Sequence, residues 1–168
     1  MGKQLMIMRH AKSSWKEIGQ TDFERGLNDR GRRVAPQMGQ YLVDQGAVPD
    51  KIISSSANRA ALTTELVAET AGVADADVQY VKYLYHAPAD EYLDALERFD
   101  GENVERLMMV GHNPGLEELI YRLAKAHERM PTAAIARFDL GDKDWISIRK
   151  PFKAKLLSVW RPKEIGIA

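Results

Sequence analysis

The chain has 168 residues, 45% of them hydrophobic and 29% charged, with 24 Lys plus Arg against 24 Asp plus Glu. That length fits one domain able to bury about two-thirds of its unfolded surface. The even charge balance excludes a whole-molecule field for nucleic acid or anionic lipid, so any anion site must be local. With no cysteine, disulfides, thiolate metal sites and cysteine-nucleophile phosphatases or proteases are excluded as well.

Met1-Gly2-Lys3-Gln4 leads straight into an apolar run, without a signal peptide's apolar region or cleavage site, and Met6 breaks the myristoylation pattern. A soluble cytoplasmic protein with no membrane or nucleic-acid partner is expected. Leu5-Met6-Ile7-Met8 reads as a buried parallel strand, ending where the chain turns polar at Arg9 and His10. Ligands of open α/β sheets bind beyond the carboxyl ends of strands, so this pair stands where chemistry is expected. Taken alone, a chance basic pair explains it as well.

Lys12 to Leu27 follows as a polar loop containing Trp15. Asn28 is a fair helix cap, and Val34, Ala35, Met38, Tyr41 and Leu42 fall at helical spacing with Gly46 as a stop. Pro36 is expected to kink that helix or to mark its true start. Lys51-Ile52-Ile53-Ser54-Ser55 reads as a second strand, one of whose serines can cap the next helix. That helix is traced by Ala57, Ala60, Ala61, Thr64, Val67, Ala68 and Ala71, with Gly72 just past its end. Arg59 lies in its first turn, where the macrodipole disfavours a cation by ~0.3–1 kcal/mol. A nearby anion would account for the placement; the alternative is a side chain pointing into solvent.

Val78 to Leu84 reads as a third strand, and Tyr92, Leu93, Leu96 and Phe99 as a short helix ended near Gly101. Arg106-Leu107-Met108-Met109-Val110 is a fourth strand, followed by Gly111-His112-Asn113-Pro114-Gly115. Asn113 is expected to cap a helix whose first residue is Pro114 and whose buried stripe is Leu116, Leu119, Ile120, Leu123 and Ala124. Thr132 to Leu140 and Ala154 to Arg161 read as two further strands, pairing antiparallel at one sheet edge. Four strand-then-helix units therefore predict an α/β fold: a three-layer α/β/α sandwich with a mostly parallel sheet and an antiparallel edge strand, in a single domain over residues 1–168.

Parallel strands share one carboxyl edge, so Arg9, His10, Arg59 and His112 can meet although they are far apart in sequence. Two arginines and two histidines beneath helix N-termini suit a phosphoryl group, whose oxygens match the paired donors of a guanidinium. Other chemistries lack their signatures. There is no Gly-x-x-x-x-Gly-Lys-Ser/Thr loop and no Gly-x-Gly-x-x-Gly. No two histidines stand at i,i+4, so neither a metal nor another cofactor is expected. Ser54 to Ser56 lacks the glycines of a nucleophile elbow, and Asp75-Ala76-Asp77 precedes a strand instead of ending one.

Arg9-His10 after the first strand, an arginine after the second, and Gly111-His112-Asn113-Pro114-Gly115 after the fourth resemble the histidine phosphatase superfamily, which also contains cofactor-dependent phosphoglycerate mutases. Arg9-His10-Ala11-Lys12-Ser13-Ser14-Trp15, with Asp22-x-x-Arg25-x-Leu27-x-x-Arg30-Gly31, is most similar to its SixA-type branch, the phosphohistidine phosphatases. The resemblance implies a phosphoglycerate mutase-like fold, with His10 as nucleophile and Arg9, Arg59 and His112 gripping the phosphoryl oxygens. It adds Arg25 and Asn113 as substrate-binding residues. Two departures stand out: Ala11 where the superfamily usually has glycine, and Lys16 where mutase-like members often have asparagine.

A third departure concerns the proton donor. Many relatives that cleave alkyl phosphates carry a glutamate after the third strand, where this chain reads Tyr83-Leu84-Tyr85-His86-Ala87-Pro88-Ala89-Asp90-Glu91. Asp90 and Glu91 are read as opening a helix, and His86, Asp90, Glu91 and Asp22 all stay open as donors. An alkoxide leaves poorly, whereas the conjugate acid of imidazole has a pKa of ~6.5 and needs less help, which favours phosphohistidine as substrate. The brief connections leave no room for a lid. The expectation is a monomeric phosphatase acting on a phosphorylated protein, such as a histidine-phosphotransfer protein, with Trp15 and Trp145 as candidate docking aromatics. The alternatives are a phosphatase of small phosphomonoesters such as sugar phosphates, and a non-catalytic phosphate-recognising module.

Overall fold

A computed structural model describes residues 2–168. Its strands are β1 (Gln4–Arg9), β2 (Lys51–Ser55), β3 (Val78–Val81), β4 (Arg106–Gly111), β5 (Ile135–Asp139) and β6 (Lys155–Trp160). Its helices are α1 (Asp29–Asp44), α2 (Asn58–Ala71), α3 (Ala89–Arg98) and α4 (Gly115–Ala124). The sheet order is β3-β2-β4-β1-β5-β6. Strands β1 to β4 are mutually parallel, β5 runs against β1, and β6 runs against β5. The reversed strand is thus one in from the edge. Among the described residues no helix is long and apolar enough to cross a membrane.

Strand β1 divides the core in two. Its side chains alternate with period two, so Leu5 and Ile7 join Met109, Leu93, Leu96, Leu119 and Ile120 on the face covered by α3 and α4. Met6 and Met8 join Val110, Val34, Met38, Leu42 and Val67 on the face covered by α1 and α2. Three layers follow directly from an unbroken apolar run that must be covered on both sides.

Three local readings are corrected. Strand β3 stops at Val81 and passes into a 3₁₀ turn over Lys82–Leu84. It is an edge strand whose sole neighbour, β2, ends at Ser55 opposite Val81, so nothing remains for residues 82–84 to pair with, and Leu84 turns into the core. Pro36 lies within α1 and does not start it; the helix begins at Asp29, with the Asn28 side chain accepting from the Gly31 N–H at 2.9 Å. Helix α4 begins at Gly115 with Pro114 as its cap residue, after a cis Asn113-Pro114 bond, and no side chain caps it.

Candidate active site

The register of β1 on β4 builds the centre of the site. Arg9 stands opposite Gly111, and one residue on the His10 N–H donates to the Gly111 carbonyl at 3.0 Å. His10 and His112 therefore leave the sheet side by side, with ring centroids 5.2 Å apart. Ala11 is buried without a positive φ, so its methyl group is tolerated. Its N–H donates to Thr63 Oγ1 at 2.9 Å, which ties the residue after His10 to α2.

His10 Nδ1 lies 2.7 Å from the Ala11 carbonyl. A carbonyl can only accept, so Nδ1 carries the proton and Nε2 holds the lone pair. Burial, reinforced by the charges of Arg59, Arg9 and Arg25, pushes the His10 pKa down to about 4. The ring is neutral at physiological pH, the state a nucleophile requires. His112 is pushed down to about 3, by burial first and then by His10 and Arg59, so it too is neutral in the unliganded protein.

A neutral His112 can still donate. Its Nε2 is 2.8 Å from Ser55 Oγ, and Ser55 Oγ already accepts the Ala57 N–H at 3.2 Å. When the Ser55 hydroxyl gives its hydrogen to Nε2, the ring proton sits on Nδ1. Among the described residues, His112 Nδ1 and Arg9 Nε are buried side-chain atoms without a hydrogen-bond partner. Ser55→Ala frees Nε2 to take the proton instead, and kcat is expected to fall about tenfold, the worth of one hydrogen bond, with His10 phosphorylation still detectable. Tyr92 positions the same loop: its hydroxyl accepts the His112 N–H at 3.0 Å, and a Cβ on Gly111 would lie 2.1 Å from that oxygen.

The anion that Arg59 calls for in the first turn of α2 is Asp22. Arg59 is only 5% exposed, which removes the solvent alternative, and its guanidinium donates to the Asp22 carbonyl at 2.8 Å and to Asp22 Oδ2 at 3.2 Å. Tyr85 donates its hydroxyl to the same Oδ2 at 2.5 Å. Arg25 binds Asp22 Oδ1 at 2.8 Å, the Ser14 carbonyl at 3.1 Å and Ser13 Oγ, and it lies 3.2 Å from the centre of the Trp15 ring. The Tyr85 hydrogen bond first, then Arg25 and Arg59, hold the Asp22 carboxyl well below the usual carboxylate range. Asp22 is therefore a fixed anion and not a proton donor.

Of the six residues singled out in the sequence, Arg9, His10, Arg59 and His112 lie near one another: the rings of His10 and His112 are side by side, the charges of Arg9 and Arg59 are felt at His10, and that of Arg59 at His112. Arg25 lies near enough for its charge to reach His10, yet its donors anchor loop 12–27. Asn113 is not the expected helix cap. Its amide nitrogen donates to Glu117 Oε1 at 3.0 Å and to the Met130 carbonyl at 2.9 Å, which commits both N–H groups and clamps the start of α4 to the segment before β5. Arg9 shares that clamp through the Met130 carbonyl at 3.1 Å. Lys16 is exposed. Asp90 is paired with Arg122 and Arg149 at 3.0 and 3.1 Å.

Buried neutral imidazoles tie stability to pH. A histidine whose folded pKa lies below its unfolded value binds more protons when unfolded, so stability is complete above the unfolded value and is lost as pH falls toward the folded one. For His10 that window runs from 6.5 down to about 4. Tm is expected to drop as pH is lowered across it, with a shallower slope in a His10→Asn variant followed by thermal circular dichroism.

Residues 5–84 match the family model described as histidine phosphatase superfamily (branch 1). An uncharacterized protein of Mycobacterium tuberculosis is 34% identical over 140 residues, covering 77% of this chain and 84% of its own. The crystal structure of a protein designated phosphohistidine phosphatase SixA, from Agrobacterium tumefaciens, superposes with a TM-score of 0.76 at 27% identity, over 96% of this chain and 100% of that one. A phosphoserine phosphatase of Entamoeba histolytica shares the fold at 16% identity, with a TM-score of 0.66 over 94% and 96% of the two chains. With Arg9 and His10 at the end of β1, Arg59 opening α2 and His112 after β4, the chain belongs to the histidine phosphatase superfamily, in its SixA-type branch.

Proposed function

We propose that this protein is a phosphohistidine phosphatase that works through a covalent phosphohistidine on His10. Neutral His10 attacks phosphorus in line through Nε2, and the bond from phosphorus to the substrate imidazole breaks. The departing imidazole keeps a proton on its other ring nitrogen and leaves neutral. Water then attacks phosphorus, the His10–phosphorus bond breaks and phosphate is released. Arg9, Arg59 and the Nδ1–H of His112 meet the charge on the equatorial oxygens, so the reading calls on no metal. The observation that carries it is the His10 Nδ1 to Ala11 carbonyl bond of 2.7 Å, which leaves Nε2 as the nucleophilic nitrogen beside His112.

A protein-borne substrate is supported by the mouth of the site. Loop 12–27, which supplies Asp22, also presents Trp15 at 78% exposure and Ile18 fully exposed. Trp145, the other candidate docking aromatic, is buried, with its Nε1–H on the Val104 carbonyl at 3.1 Å. The experiment is a side-by-side turnover assay on a phosphohistidine-bearing phosphotransfer protein and on small phosphomonoesters. Higher kcat/KM on the protein supports the reading; turnover confined to small esters replaces it with the phosphomonoesterase reading; binding without any turnover leaves a recognition module.

A further inference from the structure

His86 is a histidine beside His112 that this mechanism does not use. It lies between the 3₁₀ turn after β3 and the start of α3, with φ at +55°. That left-handed conformation costs a non-glycine residue roughly 1–2 kcal/mol, and such strain gathers at functional positions. Its ring centroid is 4.0 Å from that of Tyr85 and 6.3 Å from that of His112. Its Nε2 is 3.3 Å from Asp22 Oδ2, and its side chain is 62% exposed. His86 thus sits at the rim of the phosphate pocket, held by a carboxylate and open to a substrate.

Of the other groups here, Tyr85 has its hydroxyl committed to Asp22 Oδ2 and is held protonated by burial first and then by that bond. His10 and His112 are held neutral by burial, Asp22 is held ionised, and guanidinium groups do not release protons. An imidazole can give a proton from one ring nitrogen and take one back on the same atom. The groups facing His86 are Asp22 from loop 12–27, Tyr85 beside it in sequence, and His112 after β4. Arg59 of α2 stands behind Asp22 and Tyr85. Nε2 is the ring nitrogen beside Asp22, at 3.3 Å, so Nδ1 is the nitrogen left for the substrate.

From this arrangement we infer that His86, oriented by Asp22, is the general acid that extends the site from phosphohistidine to oxygen phosphomonoesters. The inference rests on His10 as nucleophile. In the first step His10 Nε2 bonds to phosphorus, the ester P–O bond breaks, and the leaving oxygen takes the Nδ1 proton of the His86 imidazolium, giving an alcohol and neutral His86. In the second step water attacks phosphorus, its proton passes to His86 Nδ1, the P–N bond to His10 breaks, and phosphate departs. With a phosphohistidine substrate the first step proceeds without a proton from His86, because the imidazole leaves unaided.

The test is a leaving-group comparison on the full chain with His86→Asn, since asparagine tolerates the left-handed conformation. The probes are glycerol phosphate, whose alkoxide leaves poorly, and 4-nitrophenyl phosphate, whose phenolate leaves readily. The variant is expected to lose about 10²-fold or more in kcat/KM on glycerol phosphate and to change by less than about threefold on the aryl ester. A purely structural role would lower both substrates equally, and that result overturns the inference. So does a wild-type protein that cleaves the aryl ester through His10 yet never the alkyl ester, an outcome that leaves the phosphatase reading standing. Failure on both esters and on phosphohistidine overturns both.

Discussion

His10→Ala is expected to abolish phosphate release, lowering kcat/KM by roughly 10⁴-fold or more, the scale seen when an enzyme loses its nucleophile. Neither His112 nor the arginines can replace it. His112 Nε2 is engaged by Ser55, and the remaining first contacts are guanidinium groups that cannot attack phosphorus. The variant should fold, because the imidazole is held in its neutral form against burial and its single hydrogen bond is to the adjacent Ala11 carbonyl. Circular dichroism with a phosphate-release assay checks both halves. Retained turnover in a folded variant removes His10 from its assigned role.

Arg59→Ala is expected to lower kcat by about 10²–10³-fold, the loss found when a preorganised donor to a developing anion is removed. A second effect follows from Asp22. Arg59 holds its carbonyl at 2.8 Å and its carboxylate at 3.2 Å, so the variant leaves Asp22 to Arg25, Tyr85 and His86 and loosens loop 12–27 over the site. Arg59→Lys should recover little, since one ammonium cannot match the two-pronged contact. Hydrogen exchange of residues 12–27 measures the loop, and kcat on an aryl phosphate measures the chemistry. Wild-type kcat with an unchanged loop would contradict both assignments.

What could be read from the sequence follows from what is local or set by register. The apolar run Leu5-Met6-Ile7-Met8 fixes a central strand because it must be covered on both faces, and the polar break after it places Arg9 and His10. Gly111 and His112 follow from a second run of the same kind, paired with the first. Arg59 could be recognised as needing an anion from its clash with the helix dipole, but not which anion, since Asp22 lies 37 residues away in a loop without periodicity. Tyr85 and His86 reach Asp22 by side-chain contacts alone, and no spacing rule signals these. Asn113 was misleading for a physical reason: asparagine is a favoured cap, yet here Glu117 and Met130 capture its amide. One of the serines ending β2 is expected to cap α2, yet the cap residue of that helix is Ala57 and no side chain caps it; Ser55 instead accepts the Ala57 N–H and meets His112 across 57 residues.

The most direct measurement is to quench the reaction into alkali within the first turnover and map the phosphate by peptide mass spectrometry. Phosphate attached to His10, stable in alkali and lost in acid, is the predicted result. A label on any other residue, or steady turnover with His10 never phosphorylated, would contradict the account.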